Sequence, residues 1–571
     1  MNRFFLACIF LLFNSLPIFS QVIYPDNYFR LPLDIPMTLS GSFGELRANH
    51  LHSGIDIRTN QQEGYPVYAV ADGFVSRIKV QGGGFGYALY IDHPNGFTSV
   101  YGHLQHYNHK IDAWIKAKQY ELHEFEVDVF PKRGEIPVSK GDLIAVSGSS
   151  GLSGGPHLHY EIRNTQTEYP INPLFFGYNM ADTIPPIIKN LRIMPVKDRG
   201  QINGSSDAKD FTLKNKKNQY YLEMLSPLEV SGDIAFGIET ADFHNGNEIS
   251  TGAYSIEFYL DSLRYTAMRF ETFSFLQSRA VNSIIDYAEF MKSNRKIIRS
   301  VVDPNNPLKI YDEARNGGVF SFNDNNIHLF RCVVKDFHGH YSVLSVWLKS
   351  KKVPYVWAKA NEYEKIFYWN KINYFDTKDL NMVIPKGALY DTLLFKYSTE
   401  PGNDFLYSNI HCLHDIYTPV HESYSLSIKT KNVNPALQKK LVMVRLKEDG
   451  DFISEGGRWA NGFMTAKVRS FGKFGVAADT IPPVIKPLFG FKKRVLREKG
   501  VLQFKIGDNL SGVKSYKGFI NSKWVLFSFD AKSSIITYEI DGHVKAGLNS
   551  LIIELEDQVG NKTDFKTTFT Y

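Results

Sequence analysis

The stretch Ser150-Gly-Leu-Ser-Gly-Gly-Pro-His-Leu-His-Tyr-Glu161 decides the reading of the chain. A turn rich in glycine and serine, Gly148 to Pro156, empties into the alternating run Leu158-His-Tyr-Glu-Ile162. Alternation bounded by turn residues predicts a strand. Residues i and i+2 of a strand share a face. His157 and His159 therefore look the same way, while Leu158 turns toward a core. Similar runs precede it: Pro66-Val-Tyr-Ala-Val70, Gly73-Phe-Val-Ser-Arg-Ile-Lys-Val80, Tyr87-Ala-Leu-Tyr-Ile91 and Leu143-Ile-Ala-Val-Ser147. Only Asp112 to Glu126 breaks the pattern. It is charged, and it is expected to hold a helix inserted between strands.

Histidine use supports a site here. Of 17 histidines in 571 residues, His50, His52, His93, His103, His106, His109, His123, His157 and His159 all precede residue 160. Histidine is the commonest metal ligand and the usual acid or base near neutrality. His52 and Asp56 lie four residues apart, about 13 Å on a straight strand. Ligands of one zinc ion each sit about 2 Å from it, so a turn has to bring this pair together, and Gly54 eases one. Two imidazoles and a carboxylate leave a fourth position open, as catalytic zinc sites do.

In order along the chain, these elements resemble the lysostaphin-type (LytM-type, glycyl-glycine endopeptidase) zinc metallopeptidases. The resemblance covers about 130 residues, Gly41 to Pro173. It rests on His52-Ser-Gly-Ile-Asp56, Ala71-Asp-Gly-Phe-Val75, Gly86-Tyr-Ala-Leu-Tyr-Ile-Asp-His93, Tyr101-Gly-His-Leu104, Val138-Ser-Lys-Gly-Asp142, the opening stretch and Asn172-Pro173. It implies one zinc ion on His52, Asp56 and His159, with His103 and His157 as catalytic histidines. It also implies a peptidoglycan peptide as substrate. The stretch from Leu104 to Val138 is longer than the family's usual crossing, so an insertion of about residues 105–137 is expected. The role of Glu161, on the same strand face as His159, is expected to be to orient that ring or to remain at the surface. The other five early histidines are not expected to be ligands.

Composition bounds the rest. Hydrophobic residues are 43% and charged residues 22%, as in ordinary globular chains. At roughly 150 residues per domain, the length suggests about four domains. A net charge of +6 over this length argues for no nucleic acid. Aromatics at 14% favour strands. Asp182-Thr-Ile-Pro-Pro-Ile-Ile-Lys189 returns as Asp479-Thr-Ile-Pro-Pro-Val-Ile-Lys486. A double proline suits a linker entering an edge strand. Asp336-Phe-His-Gly-His340 likewise resembles Asp557-Gln-Val-Gly-Asn561, so His338 and His340 are read as belonging to a β-turn. His411-Cys-Leu-His414 has no partner ligands nearby and reads as structural.

The expected fold is mainly β: an N-terminal antiparallel β-sheet metallopeptidase domain followed by β-sandwich, immunoglobulin-like domains. The expected divisions are 1–20, a signal peptide; 21–178, the peptidase domain; 182–350, a sandwich with a partly helical insertion from about Tyr265 to Asn316; 351–478, β-rich; and 479–571, immunoglobulin-like. Met1-Asn-Arg3, the apolar run Phe4 to Phe13 and Ser20-Gln21 read as an export signal. Its removal leaves no integral membrane span and places the protein in the periplasm, at the cell surface or outside the cell. Cys332 and Cys412 then remain, and an oxidising compartment permits a disulfide between them. The C-terminal β-domains are expected to position the enzyme and to meet envelope proteins. Two alternatives share the sequence: a relative without turnover that activates another wall hydrolase, and a surface binding protein with a structural zinc site.

Overall fold

The computed structural model describes residues 24–571 apart from 179, 247 and 353–362. The expected export signal lies outside the described residues. No helix among them is long and apolar enough to cross a membrane.

The chain is mainly β throughout, with the peptidase-like sheet at its N-terminal end. The strands that build the first sheet are β1 (Leu39–Gly41), β2 (Ile55–Arg58), β3 (Gly73–Val80), β4 (Tyr87–Asp92) and β5 (Phe97–Tyr107). After helix α1 (His109–Leu122) come β6 (Leu143–Ser147) and β7 (His157–Asn164). Their order across the sheet is β1-β2-β7-β5-β4-β3, every pair antiparallel, with β6 joined to β5. One face of β2, β5 and β7 is apolar: Ile55, Ile57, Tyr101, Leu158, Tyr160 and Ile162 share one core. Period-two alternation turns Asp56, His157, His159 and Glu161 to the opposite face.

The insertion after Leu104 is a helix with added strands. β5 continues to Tyr107, Asn108 caps α1 by accepting from Ile111 N–H, and Ile111, Ile115 and Gln119 form its buried stripe. Val127–Val129 and Pro137–Val138 then pair with β3. His103 and His106 lie on β5, and His109 opens α1.

Three further cores follow. A 12-stranded mixed sheet encloses the largest apolar cluster, around Phe236, Phe258 and Phe330. Short helices at Val281–Ile284 and Tyr287–Ser293 occupy the expected insertion, but Leu263–Arg269 is an integral strand of the sheet. Two five-stranded sheets then pack around Tyr424, Met464 and Phe474, and two four-stranded sheets around Phe504, Ile536 and Leu551. Cys332 is buried in the second core and Cys412 lies on a strand of the third unit. Both are free thiols.

The units are not beads on a string. The hairpin of Leu46–Arg47 and His50–Leu51, which leads into β2, has its apolar residues in the second core. Phe43, Leu46 and Leu51 pack there beside Phe270 and Phe273, with the Phe43 and Phe273 rings 5.2 Å apart. Leu51 N–H donates to Ser278 Oγ at 2.7 Å and Asn282 donates to Asn49 at 2.9 Å. At the other side, α1 meets the C-terminal unit: Tyr120 stacks on His543 at 5.3 Å, and Lys116 pairs with Asp541. Lys532 donates to the carbonyl of Ser149 at 2.5 Å and to that of Ser153 at 3.3 Å.

Leu51 is 1% exposed and adjoins His52. Leu51→Ala is expected to lower stability by about 3 kcal/mol through lost burial and a residual cavity. A lower urea midpoint, together with weaker divalent-metal binding at His52, checks it.

Candidate metal centre

The site forms where β7 runs between β2 and β5. His159 is paired with Asp56 on one side and with Gly102 on the other. Cross-strand partners share a face, so this register places the imidazole beside the carboxylate. A Cβ on Gly102 would come 3.3 Å from His159 Cβ, so glycine leaves the ring its room. Phe85 stacks on the His159 ring at 4.7 Å.

His52 joins from the end of the hairpin. Its Nε2 lies 3.0 Å from Asp56 Oδ1 and 3.1 Å from His159 Nδ1, and Nδ1 of His159 lies 2.9 Å from Asp56 Oδ1. Two ligands each about 2 Å from a tetrahedral ion stand about 3.3 Å apart, so three donor atoms at these spacings fit a single small ion. The approach of His52 to Asp56 depends on Gly54, for a reason other than a turn. A Cβ there would sit 2.3 Å from the Tyr160 carbonyl, so only glycine lets the segment press against β7.

Every donor is aimed by a second bond. His52 Nδ1–H donates to the Ser42 carbonyl at 2.7 Å, which leaves Nε2 as the lone pair facing the cluster. Nε2–H of His159 donates to Glu161 Oε1 at 2.9 Å, leaving Nδ1 free to face it. Arg47 donates to Asp56 Oδ2 at 2.5 Å and leaves Oδ1 for the cluster. Gly41 makes space for that pair, since a Cβ would lie 2.5 Å from Asp56 Oδ2. Such partners fix tautomer and ring orientation.

His103 and His157 complete the group, their ring centroids 4.8 Å apart. On a regular strand His103 would point opposite to Gly102, into the core. The register between β4 and β5 slips here, from Leu89↔Tyr101 to Tyr87↔Leu104, so β5 carries one extra residue. His103 has φ 57°, a left-handed conformation that non-glycine residues seldom adopt. A bulge re-aims a side chain, and this one turns His103 to the site face. Its Nδ1–H donates to the Ser150 carbonyl at 2.8 Å; Nδ1–H of His157 donates to the Gly155 carbonyl at 2.8 Å. Both carbonyls belong to the turn that Lys532 braces. His157 Nε2 is buried, forms no hydrogen bond and stands 3.4 Å from Asp56 Oδ1.

The charges are strongly coupled. Burial opposes ionisation of Asp56, but His52, with His157 and His159 beside it, holds its carboxyl well below the usual range. Burial, with His159 and His157 adding to it, pushes His103 down to about 3, which favours the neutral ring. Glu161 is fully buried, not at the surface; Arg163 and His159 outweigh its burial and bring it down to about 2. Burial also opposes a charge on His159, yet Asp56 and Glu161 raise it to about 9.

All five expected site residues thus meet. His50 does not join them: it is exposed and its Nδ1 contacts the Ala48 carbonyl. His93 is buried on Asp72 and Ser99. His106 and His109 are exposed, and His123 packs on Trp524. Arg47, Arg163, Ser42, Ser150 and Phe85 were not expected. Their part is played by backbone carbonyls, a guanidinium partner and stacking, which no spacing of histidines announces.

Residues 50–120 match Peptidase family M23. The N-terminal domain is an M23 peptidase domain. Residues 364–479 match a Zu5-like domain. The chain is 33% identical over 141 residues to an uncharacterized metalloprotease of Haemophilus influenzae, covering 24% of each. It is 37% identical over 125 residues to the DD-carboxypeptidase/endopeptidase Mpg of Neisseria meningitidis, covering 22% of each. These matches span less than a quarter of the relatives' length. The catalytic domain of lysostaphin from Staphylococcus simulans is 25% identical, covering 23% of this chain and 86% of that one, with a TM-score of 0.16.

Because His159 gains its proton partners on folding, its contribution to metal-free stability is full below about pH 6.5 and is lost as pH rises through about 9. A metal has to displace the Nδ1 proton, so binding at pH 7.5 is expected to release a proton and to tighten about tenfold per pH unit up to about 9. Calorimetry in buffers of different ionisation enthalpy measures this. Glu161→Gln is expected to weaken metal binding about 10–100-fold, read by competition with a chelator.

Proposed function

We propose that the protein is an exported zinc metalloendopeptidase that hydrolyses peptide cross-links of bacterial peptidoglycan. The observation that carries this reading is the convergence of three ligand atoms within 3.1 Å of one another beside two further imidazoles. His157 Nε2, buried without a partner, faces the same point. His52 through Nε2, Asp56 through Oδ1 and His159 through Nδ1 would hold zinc. Zinc bound there supplies Lewis acidity, polarising an amide carbonyl and acidifying water.

The chain's own residues do the rest. Asp56 stays ionised, with Arg47 on its other oxygen. His103 and His157 each spend Nδ1–H on a carbonyl and present Nε2 as a proton acceptor. One takes the proton of the attacking water; the other hydrogen-bonds the tetrahedral oxyanion or delivers a proton to the leaving amine. The turn between Gly148 and Pro156 holds both rings at once. The substrate class draws on the relatives: Mpg is named a DD-carboxypeptidase/endopeptidase, and a second relative, ShyA of Vibrio cholerae, 27% identical over 162 residues, is named a peptidoglycan DD-endopeptidase. Export rests on the N-terminal pattern of the sequence and on a substrate that lies outside the cytoplasm.

The test is cleavage of purified peptidoglycan, read as new amino termini. The wild type is expected to release them, and a chelator to stop it. His159→Ala is expected to abolish release, and His103→Ala and His157→Ala to lower it about 10²–10⁴-fold. No release by the wild type across several wall sources would sink the proposal in favour of a relative without turnover.

A further inference from the structure

A second cluster of ligand-type side chains lies in the first linker and the sheet that follows it. Asp182 opens the Asp-Thr-Ile-Pro-Pro linker. Asp242 and His244 follow the long strand Leu228–Ala241, and Asp336 and His340 frame the turn between Ile327–Lys335 and Tyr341–Ser350. Donor atoms of Asp182, Asp242 and His244 lie within 4.8 Å of one another, as do those of Asp182, Asp336 and His340. The three carboxylates and His244 are all more than nine-tenths buried.

The hydrogen bonds hold one oxygen of two carboxylates and point the other inward. Asp182 Oδ1 accepts Ile184 N–H at 3.0 Å, and Oδ2 lies 3.1 Å from His244 Nδ1. Asp336 Oδ1 accepts His340 N–H at 2.9 Å, and Oδ2 lies 2.8 Å from His340 Nδ1. His244 Nε2 is 3.2 Å from the Thr251 hydroxyl, the kind of outer contact that orients a ligating ring. His338 Nδ1 stands 3.6 Å from Asp182 Oδ2.

Asp242 is the anomaly. It is 3% exposed, and its Oδ1 is buried without any hydrogen-bond partner. Among the described residues no lysine or arginine pairs with Asp182, Asp242 or Asp336. Plain Asp–His pairing accounts for Asp182 and Asp336 but not for Asp242. An unsatisfied buried polar atom is costly.

The repeat supplies a parallel. Asp479, at the same position of the second Asp-Thr-Ile-Pro-Pro copy, meets Asp508 and Asp557, with donor atoms again within 4.8 Å. Asp557 opens Asp557-Gln-Val-Gly-Asn561, the counterpart of Asp336-Phe-His-Gly-His340. Asp508 Oδ1 is likewise buried without a partner. One arrangement therefore occurs in two separate units, and the first copy adds imidazoles.

We propose that Asp182, Asp242 and His244 form a divalent-metal site distinct from the peptidase centre, with the Asp336–His340 pair on the other side of Asp182. It would fasten the linker to the end of its sheet. An imidazole among the donors favours zinc or manganese over calcium. The cation would take the inward oxygen of Asp182, a carboxylate oxygen of Asp242 and Nδ1 of His244.

The full-length protein is stripped with a chelator, reloaded separately with Zn²⁺, Mn²⁺ or Ca²⁺, desalted and assayed for metal content. Wild type is expected to retain one more equivalent of zinc or manganese than Asp242→Asn or His244→Gln. Mn²⁺ is expected to raise the melting temperature of the wild type by more than that of either variant. Peptidoglycan cleavage by both variants is expected to match the wild type. Equal metal content in wild type and both variants, or retention of calcium alone, would overturn the proposal. If Asp242→Asn fails to fold by circular dichroism, His244→Gln decides.

Discussion

The N-terminal site depends on one ladder, β7 bonded to β2 on one side and β5 on the other. Three ligands of a small ion have to stand about 3.3 Å apart, closer than most side chains on separate elements come. Adjacent antiparallel strands achieve this because directly opposed residues share a face at short range. His159 opposite Asp56 is such a pair. A one-residue slip of β2 would turn Asp56 into the core and bring Ile55 or Ile57 to the site. The apolar alternation of Ile55, Ile57, Leu158 and Tyr160 fixes the register, so core packing and donor placement enforce each other.

Much of this arrangement is legible in the sequence, because it follows from period two and from residue type. His157-Leu-His159 on one strand face and a close pair at His52 and Asp56 need no coordinates. What stays hidden is of two kinds. The first is local backbone geometry: His103 reaches the site only through a bulge and a left-handed φ, and a regular strand reading would point it inward. Gly54 reads as a turn residue, whereas the structure needs it for the contact with the Tyr160 carbonyl. The second kind is non-local chemistry. The Ser42, Ser150 and Gly155 carbonyls set the tautomers of three histidines, and backbone acceptors carry no residue signature. Glu161 has the spacing to face His159, but its burial and its pairing with Arg163 come from the packed sheet.

The larger architecture bears on the same site from two sides. The hairpin that delivers His52 has its apolar residues in the core of the second unit, so that unit holds the ligand segment in place. Lys532 of the C-terminal unit is bonded to the turn whose carbonyls orient His103 and His157. The downstream β-rich units are therefore part of the mechanical frame of the centre. Sequence analysis assigns Phe43, Leu46 and Leu51 to the N-terminal domain by position, because nothing in a run of apolar residues says which core it enters.

The two buried clusters show how differently a fold can carry negative charge. At the N-terminal centre one carboxylate, Asp56, meets two imidazoles and the guanidinium of Arg47, and its ionised form is favoured despite burial. At the linker three carboxylates converge on two imidazoles with no guanidinium or ammonium among the described partners, and burial with mutual repulsion works against ionisation of Asp242. The first cluster is near electrostatic balance before any ion arrives, so what an ion adds there is chemistry. The second is out of balance as it stands, so what an ion adds is cohesion, joining a proline-stiffened linker to its sheet. An imbalance repeated in outline at Asp479, Asp508 and Asp557 is harder to ascribe to one accidental packing. It ties the recurring Asp-Thr-Ile-Pro-Pro to a structural task at the entry of each unit that carries it.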